Sequence, residues 1–206
     1  MKNKLLIIGA SGHGKVVADI AIKMNKWSSV EFLDDNTTLN TVMGLNVIGT
    51  SGDMLNYIDE YEMFVGIGNN AIRRRIYEKL KSDGATIPTL VHPNAAIGSE
   101  VTIESGTVVM AGVVINCCTK IGQGCIINTG ASVDHDNFIG DFVHVSPGAR
   151  LAGTVRVEQE SWLGIGSVIS NNIDITSRTI IGAGSVVIKD LKESGTYIGI
   201  PSRKLS

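Results

Sequence analysis

Between Ile97 and Val187 an aliphatic residue recurs at every sixth position without a miss: Ile97, Ile103, Val109, Ile115, Ile121, Ile127, Val133, Ile139, Val145, Leu151, Val157, Leu163, Ile169, Ile175, Ile181 and Val187. An α-helix repeats every 3.6 residues and a strand every 2, so neither alone holds such a register. A chain that turns a corner every six residues, with one aliphatic side chain pointing inward on each face, predicts a triangular prism of stacked coils. This is the left-handed parallel β-helix of hexapeptide repeats, with 18 residues to a coil and about five coils over this stretch. Gly98, Gly122, Gly140, Gly164 and Gly182 each follow a ladder residue directly and are expected to serve tight corners.

Upstream the pattern changes. Apolar Leu5 to Ile8, the glycine-rich Gly9 to Gly14, and Val16, Val17, Ile20, Ala21 and Met24 at helical spacing predict a strand, a loop and a helix. Val30 to Leu33, ending in Asp34 and Asp35, predicts a second strand, and Met63 to Ile67 a third that closes on Gly68-Asn69-Asn70. Ala71 to Leu80 follows as a helix with Ile72, Ile76 and Leu80 on its apolar stripe. Strands alternating with helices imply a small parallel sheet, an α/β Rossmann-like domain. Pro88 and His92-Pro93 punctuate the passage into the repeat. The expected division is 1–89 for the α/β domain, 90–190 for the β-helix and 191–206 for a capping segment with Gly199-Ile200-Pro201 as a turn.

Charge narrows the partners. Lys plus Arg number 18 against 20 acidic residues, a net charge of −2, so no basic field favours nucleic acid or an anionic membrane surface. The first apolar run is too short for a signal peptide, and no stretch reaches the length of a transmembrane helix, which leads us to expect a cytoplasmic protein. Cys117, Cys118 and Cys125 are odd in number and lack a paired C-x-x-C pattern, so small buried prism side chains are expected rather than disulfides or structural zinc.

Candidate chemistry lies in both parts. Gly9-Ala10-Ser11-Gly12-His13-Gly14-Lys15 sits at a strand-to-helix turn, where backbone N–H groups and the helix dipole favour phosphate. It has neither the G-x-G-x-x-G order of a dinucleotide fingerprint nor a complete P-loop, so it either cradles phosphate or merely packs helix on sheet. Asp34 and Asp35 stand at the carboxyl edge of the sheet, where α/β folds bind ligands, and suit a nucleotide unless they are simply solvated. In the prism, Ser132-Val133-Asp134-His135-Asp136-Asn137 places a histidine between two carboxylates. A carboxylate can fix the tautomer of an imidazole and stabilise its protonated form, which makes His135 a candidate general base; the alternative is a solvated surface histidine. One coil before and after it come Cys117 and Gly153, small residues that leave room beside the imidazole for a substrate. His144 falls one and a half faces away. Catalytic zinc needs three protein ligands, and His92, His135 and His144 are too dispersed, so no metal is expected.

Taken together, Gly-Ala-Ser-Gly-His-Gly, Phe32-Leu33-Asp34-Asp35, Gly66-Ile67-Gly68-Asn69-Asn70 with Ile72-Arg73, Asp134-His135-Asp136, His144-Val145-Ser146 with Gly148-Ala149, and Gly199-Ile200-Pro201 resemble the bacterial nucleotide-sugar acyltransferases of the PglD-like and NeuD families. The resemblance spans nearly the whole chain. It implies a homotrimer that takes acetyl-CoA as co-substrate and acetylates the 4-amino group of a nucleotide-linked, UDP-linked 4-amino-4,6-dideoxy sugar. Sialic acid O-acetylation and GDP-perosamine or dTDP-viosamine N-acetylation are its alternatives. By the same resemblance Ser11, Gly12, His13 and Gly68 match positions holding the sugar nucleotide, Asp34 and Asp35 those at the nucleoside, and His144, Ile165 and Ala183 those at acetyl-CoA. His135 matches the general base, assisted by Asp136 where the family pattern carries a glutamate. Transfer would be direct, without an acyl-enzyme.

Overall fold

The computed structural model describes residues 2–205 and divides into two compact units at His92–Pro93. In the first, β1 (Lys4–Ile8) lies between β2 (Ser29–Leu33) and, beyond a short hairpin of β3 (Thr41–Val42) and β4 (Leu45–Asn46), β5 (Glu62–Val65), all three sheet strands parallel. Leu5 to Ile8 are sealed on both faces, which is why the central strand reads as a continuous apolar run rather than an alternation.

Helix α1 (Gly12–Met24) starts within the segment expected to be loop. Its first turn carries Gly14, where a Cβ would overlap the carbonyl of Gly9, so the absence of a side chain lets the helix close onto the strand end. Helix α2 (Asn70–Ser82) is capped by Asn69, whose side chain accepts from the Ile72 N–H at 3.0 Å. The third strand ends at Val65 rather than at Ile67; Gly66 still donates its N–H to the Ile8 carbonyl at 2.8 Å and abuts Ile7, whose Cγ2 would lie 2.8 Å from an added Cβ. A 3₁₀ helix at Ser51–Tyr57, closed by a capping box of Thr50 and Asp53, lies outside the elements that the hydropathy pattern predicts. No helix among the described residues is long and apolar enough to cross a membrane.

The second unit is the prism. Ala96–Ile97, Val114–Ile115, Ser132–Val133, Arg150–Leu151, Val168–Ile169 and Val186–Val187 stack in parallel as one face, so the coils number about six rather than five. Thr102–Ile103 to Asp174–Ile175 form the second face, and Val108–Val109 to Ile180–Ile181 belong to the third, which Thr196–Ile198 and Arg203–Lys204 extend. From Val109 to Val187 every ladder residue is buried. Ile97, 40% exposed, and the half-buried Ile103 are not, because each begins a stack within this unit and has a ladder neighbour on one side only.

Two features of the repeat depart from the expectation. The corner residues with left-handed backbone stand three places after each ladder residue, every sixth residue from Glu100 to Gly184, and include Cys118, Asp136 and Thr154 beside glycines. The glycines directly after ladder residues answer a different need: at Gly98 and Gly140 an added Cβ would meet the Cys117 and Gln159 nitrogens of the next coil at 2.7 and 2.8 Å. A second inward ladder lies two residues before the aliphatic one; beside apolar Val113, Val143, Val155 and Ile173 it carries small or polar side chains, among them Thr107, Thr119, Cys125, Asn137, Ser161 and Thr179. Several bond at the corners, where strand pairing lapses: Thr107 Oγ1 donates to the Gly122 carbonyl at 2.7 Å and accepts from the Cys125 N–H at 2.9 Å. Their polarity hid them from a hydropathy pattern.

Candidate active site

A cleft of about 660 Å³ opens at the carboxyl edge of the sheet in the first unit, a size suited to a small-molecule ligand. Gly9 and Ser11 after β1, and Asp34 and Asp35 after β2, line it together with the apolar Met54, Ile67, Ile72 and Ile76. The two carboxylates already brace this rim. Asp34 accepts from the Ala10 N–H at 2.7 Å and the Asn36 N–H at 2.9 Å, while Asp35 accepts from the Ser51 N–H at 2.9 Å. Each therefore offers a ligand only part of its acceptor capacity.

Gly12, His13 and Gly68 do not line the cleft. Gly12 is open to solvent, and the Gly68 carbonyl accepts from Arg73 Nη1 at 2.9 Å. His13 Nε2 is sealed from solvent with no hydrogen-bond partner among the described residues. Burial first, and the nearby Arg73 guanidinium second, push its pKa down to about 4, so the imidazole is neutral at pH 7. Sequence reasoning missed Arg75 and Lys79, which share the cleft wall with Ile72 and Ile76. Their spacing, i, i+3, i+4 and i+7 along α2, was the available signal.

The prism corner at His135 is built by hydrogen bonds with separate tasks. Asp136, held at φ 57°, places Oδ2 2.7 Å from His135 Nδ1. Since a carboxylate can only accept, the proton sits on Nδ1 and Nε2 keeps its lone pair, the arrangement of a base. Asp134 instead accepts from the His135 N–H at 2.9 Å and from Asn116 Nδ2 at 2.7 Å, fixing the backbone rather than the ring. The bond to Asp136 foremost, and the charge of Asp134, raise the His135 pKa above its ordinary value against the opposing effect of desolvation. The side chain is 53% exposed, so the ring reaches solvent.

Beneath this corner Asn137 is buried, donating to the Asp134 carbonyl at 2.7 Å and the Ala152 carbonyl at 3.0 Å while accepting from the Val155 N–H at 2.9 Å. The room expected beside His135 is not vacant on the Gly153 side, because the imidazole itself lies there. Cys117 and Cys118 are exposed, contrary to expectation, since corner positions point outward; Cys125, on the inner ladder, is buried. Partial desolvation foremost, and the neighbouring Cys117 and Glu100, raise the Cys118 pKa, the opposite of an activated nucleophile.

His144 is buried on the third face, stacked on Trp162 with ring centroids 4.8 Å apart, its Nε2 3.1 Å from Asn128 Nδ2. With the amide donating, that nitrogen accepts. Ile165, 57% exposed, and the exposed Ala183 occupy one column of the corner that follows the third face. His135 instead follows the first face, so within one protomer the structure does not bring it together with Ile165 and Ala183.

Comparison with known proteins bears on both units. A family model described as the PglD N-terminal domain matches residues 4–80. The chain is 32% identical to the GDP-perosamine N-acetyltransferase of Escherichia coli O157:H7 over 184 residues, covering 86% of this chain and 82% of the relative. It is 36% identical to the UDP-N-acetylbacillosamine N-acetyltransferase of Bacillus subtilis over 116 residues, covering 54% of this chain and 52% of that one. Among solved structures, the acetyltransferase domain of PglB from Neisseria gonorrhoeae in complex with acetyl coenzyme A superposes with a TM-score of 0.95 at 39% identity, covering both chains completely. PerB from Caulobacter crescentus in complex with CoA and GDP-perosamine gives 0.93 at 34% identity, covering 98% of this chain and 97% of that one. The α/β unit, the hexapeptide prism and these likenesses over the full chain agree, and the chain belongs to the PglD-like family of nucleotide-sugar N-acetyltransferases.

Proposed function

We propose that the chain moves the acetyl group of acetyl-CoA onto the 4-amino group of a UDP-linked 4-amino-4,6-dideoxy sugar, with His135 as general base. The observation that carries this reading is the His135–Asp136 pair, its Nδ1 engaged at 2.7 Å, which leaves the lone pair on Nε2 of a solvent-exposed ring. The cleft beside Asp34 and Asp35 supports a nucleotide, with Ser11 at the N-terminus of α1 suited to the diphosphate. Exposed Trp162, Ile165 and Ile180 offer apolar surface to the pantetheine arm, which supports acetyl-CoA as donor. Acetyl-CoA supplies an acyl group activated as a thioester, whose C–S bond breaks as the C–N bond forms, so that CoA leaves as the thiol. His135 Nε2 takes the proton that the amine must lose as it attacks, and Asp136 stabilises the resulting imidazolium.

Because His135 and the Ile165–Ala183 column occupy different corners, a complete site on this reading needs the edge of a second protomer, which supports a cyclic homotrimer. Replacing His135 by alanine is expected to lower kcat by about 10²- to 10⁴-fold while acetyl-CoA affinity, read by calorimetry, stays near wild type. Wild-type turnover in that variant removes the mechanism. A second substrate, GDP-perosamine, is favoured by the relative that matches over most of both chains. Parallel assays with UDP-4-amino sugar and GDP-perosamine, products read by mass spectrometry, separate the two.

A further inference from the structure

We propose that Gly153 is a positioning residue, whose missing side chain forms the seat that holds the His135 imidazole in its working orientation. The proposal rests on the assignment of His135 as general base. Its starting point is a pattern in the chain. The corner positions two places after each ladder residue, from Ser99 to Lys189, carry Ser, Ala, Cys, Gln, Thr, His, Asp, Pro, Ile, Asn or Lys, and glycine at 153 alone. That glycine lies one coil above His135, whose carbonyl accepts from the Thr154 N–H at 3.0 Å.

Neither usual reason for glycine applies. Gly153 is not among the residues with left-handed backbone, so its conformation suits any L-residue. Close approach of backbone, which explains Gly98 and Gly140, is also not the cause: the atoms nearest an added Cβ are all in the imidazole, Cε1 and Nε2 at 2.6 Å and Nδ1 at 3.2 Å. The histidine of one coil therefore rests on the bare Cα of the next.

An ordinary carbon contact is about 3.5–4.0 Å, so a methyl group at 153 must drive the ring away by about 1 Å. The backbone bond between the coils keeps the main chain from following. The ring then leaves Asp136 Oδ2, now 2.7 Å from Nδ1, and Nε2 leaves its alignment. A misplacement of this size costs about 10²-fold in rate. Since the obstacle is the movable end of a side chain, the coil itself can accept the methyl group.

The test uses the full chain labelled with ¹³Cε1-histidine. In the wild type, a nuclear Overhauser effect between His135 Hε1 and a Gly153 Hα is expected. In Gly153→Ala, kcat falls about 10²-fold, KM for acetyl-CoA stays within about twofold, and the His135 titration moves down toward that of a free imidazole. In an Asp136→Asn background the same substitution lowers kcat by much less, since both act through one contact. Wild-type kcat and an unmoved titration in Gly153→Ala, with His135→Ala inactive, overturn the inference alone. Absence of the Overhauser effect in the wild type overturns it without any variant. Wild-type turnover in His135→Ala instead overturns the base assignment, and with it any part for Gly153 in catalysis.

Discussion

Replacing Asn137 by leucine keeps the approximate shape of the side chain and removes every polar bond it makes. The Asp134 carbonyl also accepts from Thr119 Oγ1 at 2.8 Å, so it retains a partner. The Val155 N–H, now bonded to Asn137 Oδ1 at 2.9 Å, is left buried without that partner, and the half-buried Ala152 carbonyl, at 3.0 Å from Nδ2, loses its own. Each orphaned group costs about 1–3 kcal/mol, and burial of the leucine offsets part, leaving about 3 kcal/mol. A chain of this size loses about 2–4 °C in Tm per kcal/mol, so thermal unfolding at fixed protein concentration should fall by about 6–12 °C. Asn137→Asp keeps the acceptor toward Val155 but turns a second oxygen toward the two carbonyls. Its deficit should shrink on acidification, when a protonated acid can donate again. A leucine variant within about 2 °C of wild type would refute the reasoning, because the inner polar ladder would then carry no stability.

Other outcomes follow from the same geometry. In Asp136→Asn the bond that raises the His135 pKa loses its charge, so the pKa falls. A base must be neutral, hence the acid limb of the kcat profile should move to lower pH while the plateau drops; a limb that stays in place would separate Asp136 from the titration. Co-assembly of His135→Ala with Ile165→Glu protomers, each inactive alone, should restore about one quarter of wild-type activity by random assortment in a closed ring, and no recovery would place both residues in one protomer's site. His13 has a folded pKa of about 4 against an ordinary 6.5, so the unfolded chain binds the extra proton between these values. Stability should therefore fall as pH drops from about 6.5 to 4, by about 3 kcal/mol in all, and Tm measured against pH should lose that slope in His13→Gln.

The prism and its register were legible in the chain because a six-residue corner imposes one inward side chain at each repeat, and an aliphatic residue occupies every such position from Ile97 to Val187. The histidine between Asp134 and Asp136 was visible for a similar reason: it interrupts an otherwise regular pattern with groups that titrate. What each acid does was not visible. Only the left-handed corner at Asp136 turns its carboxylate onto the ring, and only stacking puts Asn116 beside Asp134. The inner ladder through Thr119 and Asn137 escaped notice because polar side chains satisfied by corner backbone look like surface residues in a hydropathy pattern. Neighbours 18 residues apart in sequence become stacked partners in space, as Val114 pairs with Ser132. The chain by itself therefore determined the repeat and its candidate base, whereas the fit of His135 over Gly153 and the separate corners of His135 and Ile165 were decided by stacking, which no local pattern encodes.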